Sequence, residues 1–167
     1  MNSIIRGTGR LLPEEINTDV HCSAKYTPGK DTAYIAQHAF ERIAPDFVSS
    51  FRPGNIIVAG RNFGINSSRE QAVHAMRLLG VAAVVSPAFG RQFFRNAINN
   101  GLPVVECDIA GIQQGDVVQV DLSAGTVSVP ARGIECAFAP LPSAIQALLA
   151  SGGLIPFLQA HPDWRLQ

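Results

Sequence analysis

Eleven residues near the middle of the chain concentrate the groups able to do chemistry: Gly60-Arg61-Asn62-Phe63-Gly64-Ile65-Asn66-Ser67-Ser68-Arg69-Glu70. An apolar run, Ile56-Ile57-Val58-Ala59, precedes them, and Ala72, Ala75, Met76 and Leu79 follow at helical spacing. The stretch therefore links a buried strand to a helix N-terminus, where free backbone N–H groups and the helix dipole favour an anion. Gly64 would let the backbone approach a ligand closely. Asn66 tolerates a left-handed conformation. Arg69 suits a planar carboxylate, because a guanidinium donates two parallel hydrogen bonds. Ser67 to Glu70 also fits a capping box, with Ser67 as N-cap and Glu70 reaching back to its amide. The two readings are compatible, since a serine at that position lies where charge developing on oxygen is stabilised.

Other loop chemistries fit less well. A phosphate-binding Walker loop needs a terminal Gly-Lys-Ser/Thr, and no lysine stands here. The Gly-x-Gly-x-x-Gly dinucleotide fingerprint and the Gly-x-Ser-x-Gly nucleophile elbow are both missing. His21, His38, His74 and His161 share no metal-ligand spacing, so no metal site is expected. Cys22, Cys107 and Cys136 are far apart and odd in number. They suit neither a disulfide framework nor the clustered thiolates of an iron–sulfur site, and read as small buried hydrophobes.

The elements that must position the loop are legible around it. Ser3 to Leu12 reads as a strand or extended arm, followed by a long polar loop from Pro13 to Lys30. Asp31 or Thr32 can cap a helix whose apolar face is Ile35, Ala36, Ala39, Phe40 and Ile43. Past the central helix and its Gly80 stop, Val81 to Val85 and Pro103 to Glu106 read as strands, with a helix from Phe93 to Asn100 between them. That order implies a parallel, right-handed crossover unit. Asp116 to Leu122 and Thr126 to Val129 alternate around Ser123-Ala124-Gly125 as a hairpin. A strand near Glu135 to Ala139 and a helix capped by Ser143 and stopped at Gly152-Gly153 complete an α/β chain with an added antiparallel portion.

Composition narrows the function classes. Thirteen basic and 13 acidic residues balance to zero formal charge, so the basic excess of a nucleic-acid wrapper is absent. Hydrophobic residues make up 47% and charged residues 16%, enough for a packed core. No run approaches the roughly 20 apolar residues of a membrane span, and the first ten residues lack a signal-peptide core. A soluble cytoplasmic protein is expected.

The spacing of several segments resembles a known family. Asn62-Phe63-Gly64-x-x-Ser67-Ser68-Arg69-Glu70, Gly80-Val81, and Phe89-Gly90-Arg91-x-Phe93-x-Arg95-Asn96-x-x-Asn99-x-Gly101-Leu102-Pro103 look like the swivelling domain of the aconitase superfamily. The likeness is to the separate small subunit of the isopropylmalate dehydratases. Asn17-Thr18-Asp19 resembles the family's Asp-Thr-Asp segment, and Lys25-Tyr26 its substrate-selecting Arg-Tyr pair. Arg52 to Gly60 and Gly152-Gly153-Leu154 fall in register as well.

The resemblance implies a swivelling β/β/α domain over residues 1–155 with a tail at 156–167. Its central mixed sheet would have a parallel crossover core flanked by helices and a C-terminal antiparallel hairpin. It implies a two-subunit hydro-lyase that dehydrates and rehydrates a malate-type hydroxy-acid, here as in leucine biosynthesis. The 4Fe-4S cluster would sit on a large partner subunit, with no cofactor on this chain. Ser67 would be the base and Asp19 a further catalytic residue that positions the groups. Ser68 and Arg69 would bind substrate carboxylate, and Lys25 and Tyr26 would read the variable side group. Ile65-Asn66 stands where the family has Cys-Gly, Gln71 where it has histidine, and Gln92 where it has isoleucine. These departures admit two alternatives: a paralogous dehydratase for another branched malate, such as dimethylmalate or citramalate, or a non-catalytic carboxylate-binding or regulatory module.

Overall fold

The computed structural model describes residues 4–22 and 28–163 of the chain. Its spine is one seven-stranded sheet in the order β4-β3-β2-β1-β5-β6-β7. Strands β1 (Ile4–Leu12), β2 (Ile56–Ala59), β3 (Ala83–Ser86) and β4 (Val104–Glu106) run parallel. Strands β5 (Val117–Asp121), β6 (Thr126–Val129) and β7 (Ile134–Ala137) extend the other side of β1 antiparallel. The crossover unit and the hairpin expected from the sequence are both present.

Every residue of β2 and β3 is buried, because both faces of the parallel half are covered. Alternate side chains feed two cores. Ile57, Ala59 and Val84 face the helices with Phe63, Met76 and Phe93. Ile56, Val58, Ala83 and Val85 face a second layer with Val118, Val120, Val127 and Val129. That second layer exists because the sheet curls. Cys107, just past β4 at one end, donates its thiol to the Cys136 carbonyl in β7 at the other, with Sγ to O 3.7 Å.

The helices are α1 (Thr18–His21), α2 (Thr32–Gln37), α3 (Phe47–Ser50), α4 (Glu70–Leu78), α5 (Arg91–Asn99), α6 (Ser143–Ala150) and α7 (Leu154–Ala160). Four details depart from the sequence reading. The long loop after β1 contains α1, started by the Asn17 side chain accepting from the Asp19 amide. Helix α2 is capped by Asp31 as expected but ends at Gln37. The buried Phe40 turns the chain at φ 61° to pack edge-on against Phe47, and this tertiary contact overrides the helical repeat. Ser143 is the first residue of α6 but makes no side-chain cap bond. Helix α7 follows the Gly152-Gly153 stop and runs across residue 155, anchored by the buried Phe157. Among the described residues no single helix is long and apolar enough to cross a membrane. Helices α6 and α7 pass on length and composition only as a pair bent by 91°.

Candidate functional site

Strands β1, β2 and β3 all end at one edge of the sheet, and the loops leaving them meet there. Backbone bonds weld these loops together. The Ile16 carbonyl accepts from the amides of Gly64 and Ile65 at 2.8 and 3.1 Å, and Arg61 O accepts from Glu15 N at 2.8 Å. Phe63 donates to Ala88 O and accepts from Gly90 N. The Ser86 hydroxyl, fully buried, lies 2.8 Å from Gly60 O and 2.9 Å from Ala88 O.

Backbone torsions then set where the serines emerge. Asn62, Gly64 and Asn66 all adopt positive φ, at 67°, 76° and 62°. Asparagine accepts this region more readily than most residues, as expected for Asn66. Gly64 also serves packing. It is buried, and a Cβ there would stand 2.3 Å from Cβ of Phe93, so its bare backbone admits α5. Gly90 is the counterpart, since a Cβ on it would meet the Gly64 carbonyl at 1.8 Å.

The chemistry-bearing residues converge. Asp19, only 1% exposed, accepts the Ser67 hydroxyl on Oδ2 at 2.6 Å and the Arg69 amide on Oδ1 at 3.2 Å. Ser67 and Arg69 are exposed. Ser68, only 2% exposed, shares a hydrogen bond of 2.8 Å between its hydroxyl and that of Thr18. Its hydroxyl faces the protein interior.

This geometry corrects the capping box. Helix α4 begins at Glu70 with Arg69 as N-cap and no side-chain cap bond of its own. The Asp19 carboxylate, 50 positions away in sequence, takes the Arg69 amide in that place. Glu70 instead accepts from Asn100 Nδ2 at 2.7 Å. Ser67 is thereby released from capping and gives its hydroxyl to Asp19.

Three residues at this site were given no role in the sequence reading. Thr18 holds the Ser68 hydroxyl. Gln92 Oε1 accepts from the Ser68 amide at 3.2 Å, and Asn96 Nδ2 donates to the Ser68 carbonyl at 3.1 Å. The available signal was a carboxamide repeated at i and i+4 on one helix. Lys25 and Tyr26 lie outside the described residues.

Nearby, burial and then the Arg42 charge push the His21 imidazole below its ordinary value of 6.5. The cysteines stand apart. The Cys22 thiol donates to Ala72 O beneath α4, and burial pushes it up to about 12. Cys107 and Cys136 are in the second core layer. Among the described residues no three histidine, cysteine or acidic side chains gather in a way that could hold a metal.

With that geometry in view, comparison with known proteins is decisive. The model of the aconitase C-terminal domain matches residues 16–108, the stretch that contains every site residue above. A 3-isopropylmalate dehydratase small subunit from Halothermothrix orenii is 44% identical over 151 residues, spanning 88% of this chain and 92% of the relative. The chain belongs to this aconitase-type small-subunit family. A second small subunit, numbered 2, from Archaeoglobus fulgidus is 41% identical across 92% of this chain and 93% of the relative. The crystal structure of a 3-isopropylmalate dehydratase from Methanocaldococcus jannaschii superposes with a TM-score of 0.87 at 33% identity, covering 95% of both chains. The mixed sheet and its flanking helices are thus the family's fold.

Proposed function

We propose that this chain is the small subunit of a 3-isopropylmalate dehydratase, a hydro-lyase that removes and re-adds water on a malate-type hydroxy-acid. It works with a large subunit that carries the four-iron cluster. When present on that partner, the cluster supplies a Lewis acid for the departing hydroxide. The dispersed cysteines of this chain, one bonded beneath α4 and two in the opposite core layer, suit that division of labour. The role in a biosynthetic pathway, that of leucine, supports a cytoplasmic location.

The observation that carries the reading is the Ser67–Asp19 hydrogen bond of 2.6 Å at the start of α4. Ser67 is the base that takes a proton from the carbon next to a substrate carboxylate. A serine hydroxyl is a weak acid in water, so its own proton needs an acceptor and its oxygen an electropositive setting. Asp19 Oδ2 is that acceptor. The N-terminal dipole of α4 and the Arg69 guanidinium supply the positive field. Abstraction builds charge on the substrate carboxylate, and Arg69 stabilises that charge most in the transition state. Ser68, turned onto Thr18, serves the carboxylate site mainly by fixing the peptide between its two active neighbours. Lys25 and Tyr26 read the variable side group. The large subunit, closing over the exposed face of Ser67 and Arg69, excludes water and strengthens each of these interactions.

The test is hydration of isopropylmaleate, citraconate, dimethylmaleate and cis-aconitate by the co-expressed, anaerobically reconstituted pair. Isopropylmaleate is expected to turn over fastest. Ser67→Ala is expected to remove turnover while leaving the complex intact. Full activity in that variant would overturn the base assignment, and turnover of another diacid alone would reassign the substrate.

A further inference from the structure

One face of α5 and its C-cap carries a carboxamide at every fourth residue: Gln92, Asn96 and, as the C-cap, Asn100. This spacing stacks them on one side of the helix, one turn apart. All three reach the segment that begins α4. Gln92 Oε1 accepts from the Ser68 amide at 3.2 Å. Asn96 Nδ2 donates to the Ser68 carbonyl at 3.1 Å. Asn100 donates to Glu70 at 2.7 Å and shares a 2.9 Å bond with His74 Nε2. The chemistry fixes the amide orientations at the first two positions. Only an oxygen can receive the Ser68 N–H, and only a nitrogen can donate to its carbonyl.

Ser68 is therefore held on three sides. Its N–H and C=O are taken by α5, and its hydroxyl by Thr18 of α1. Ser67 and Arg69, on either side of it, are both tied to Asp19. Rotating either peptide of Ser68 would swing the Ser67 hydroxyl and the Arg69 side chain in different directions. Proton abstraction depends on the reacting atoms being held within a fraction of an ångström.

We propose that Gln92 and Asn96 are positioning residues for the dehydratase reaction, clamping the Ser68 peptide from both ends so that Ser67 and Arg69 address one substrate together. The clamp acts through polarity and not bulk, with Gln92 as acceptor and Asn96 as donor. It acts through the Ser68 peptide, so its loss is expected to fall on kcat more than on KM. The proposal rests on Ser67 being the base.

The experiment uses the reconstituted two-subunit enzyme for kcat and KM, and the full small subunit alone for amide exchange of Ser68 by NMR. Gln92→Leu keeps the bulk without the acceptor. It is expected to lower kcat about tenfold with KM changed less than about twofold, and to speed Ser68 amide exchange at least about tenfold. Gln92→Glu keeps an acceptor and is expected to restore both kcat and slow exchange to within about threefold. Asn96→Asp puts an acceptor against the Ser68 carbonyl and is expected to lower kcat at least as far as Gln92→Leu. Wild-type kcat in Gln92→Leu and Asn96→Asp overturns the clamp. So does equal loss in Gln92→Leu and Gln92→Glu, which would mean packing alone. A lower KM at unchanged kcat in Gln92→Leu also overturns it, because the side chain would then be an obstruction. Ser67→Ala measured alongside keeps the two readings separate. Activity in that variant removes the base assignment, while Ser68 exchange still reports whether the clamp exists.

Discussion

The parallel and antiparallel halves of the sheet use their polar side chains in opposite ways. At the ends of β1 to β3, side-chain bonds join residues distant in sequence: Asp19 with Ser67 and Arg69, Thr18 with Ser68, Gln92 and Asn96 with Ser68. Around β5 to β7 they are mostly local. Asp121 closes the 122–125 turn by accepting from Ser123 and Ala124, and Asp116 accepts from Gln113 and pairs with Arg132 at 2.6 Å. Local bonds of this kind shape a turn. Long-range bonds anchored on the buried Asp19 and Ser68 fix side chains relative to one another, which is what a reaction centre requires. The antiparallel half contributes Val118, Val120, Val127 and Val129 to the second core layer, and the parallel half carries the proposed site.

The largest expected effect tests the long-range bonds directly. Asp19→Asn removes the charged acceptor while keeping its size. Turnover of the assembled enzyme is expected to fall by about two orders of magnitude or more, with the small subunit still folded. Steady-state kinetics and circular dichroism together check it. Near-normal turnover would reduce Asp19 to a structural cap and weaken the contrast between the halves.

Glycine substitutions sharpen the comparison in stability. Gly64→Ala forces a Cβ to within 2.3 Å of Phe93 at φ 76°, and is expected to cost about 3 kcal/mol or more. Gly133, in the antiparallel half, also has positive φ, at 64°, but a Cβ there would meet no heavy atom within 4 Å. Gly133→Ala is expected to cost only about 1 kcal/mol, the price of the left-handed torsion. Urea titration of both variants measures the difference, and equal losses would mean that packing around Gly64 is softer than its geometry implies.

Thiol labelling probes the second core layer. Burial first, then the neighbouring Cys136, push the Cys107 thiol up to about 12, so it stays protonated at neutral pH. Cys136 is only half-buried. Native-state alkylation followed by mass spectrometry is expected to modify Cys136 well before Cys107 and Cys22. Labelling of all three at one rate would show that the curled sheet opens readily.

The smallest effect is a pH dependence near the site. His21 is held below 6.5 in the folded chain by burial and then by Arg42, so the unfolded chain takes up its proton first. As pH falls through 6.5 and below, the unfolded state binds more protons and stability declines. His21→Gln is expected to flatten that part of the acid limb in thermal melts between about pH 7 and 5. An unchanged slope would assign the acid loss to other groups.

The sequence by itself determined the strands β2 and β3, helices α4 and α5, the β5–β6 hairpin and the family to which the Ser67–Arg69 motif belongs. Each is written locally, as an apolar run, a helical repeat, an alternation or a contiguous motif. It misread the cap of α4, and it did not reveal the buried partners of Gly64 and Ser68. Asp19 lies about 50 positions from the amide it caps, Phe93 lies 29 positions from Gly64, and Thr18 lies 50 positions from Ser68. A local pattern such as Ser-Ser-Arg-Glu predicts the partners nearest in sequence. Only the folded sheet, by bringing the ends of β1, β2 and β3 to one edge, decided that distant partners would win, because a buried carboxylate and two helix-borne amides satisfy those groups without exposing them to water.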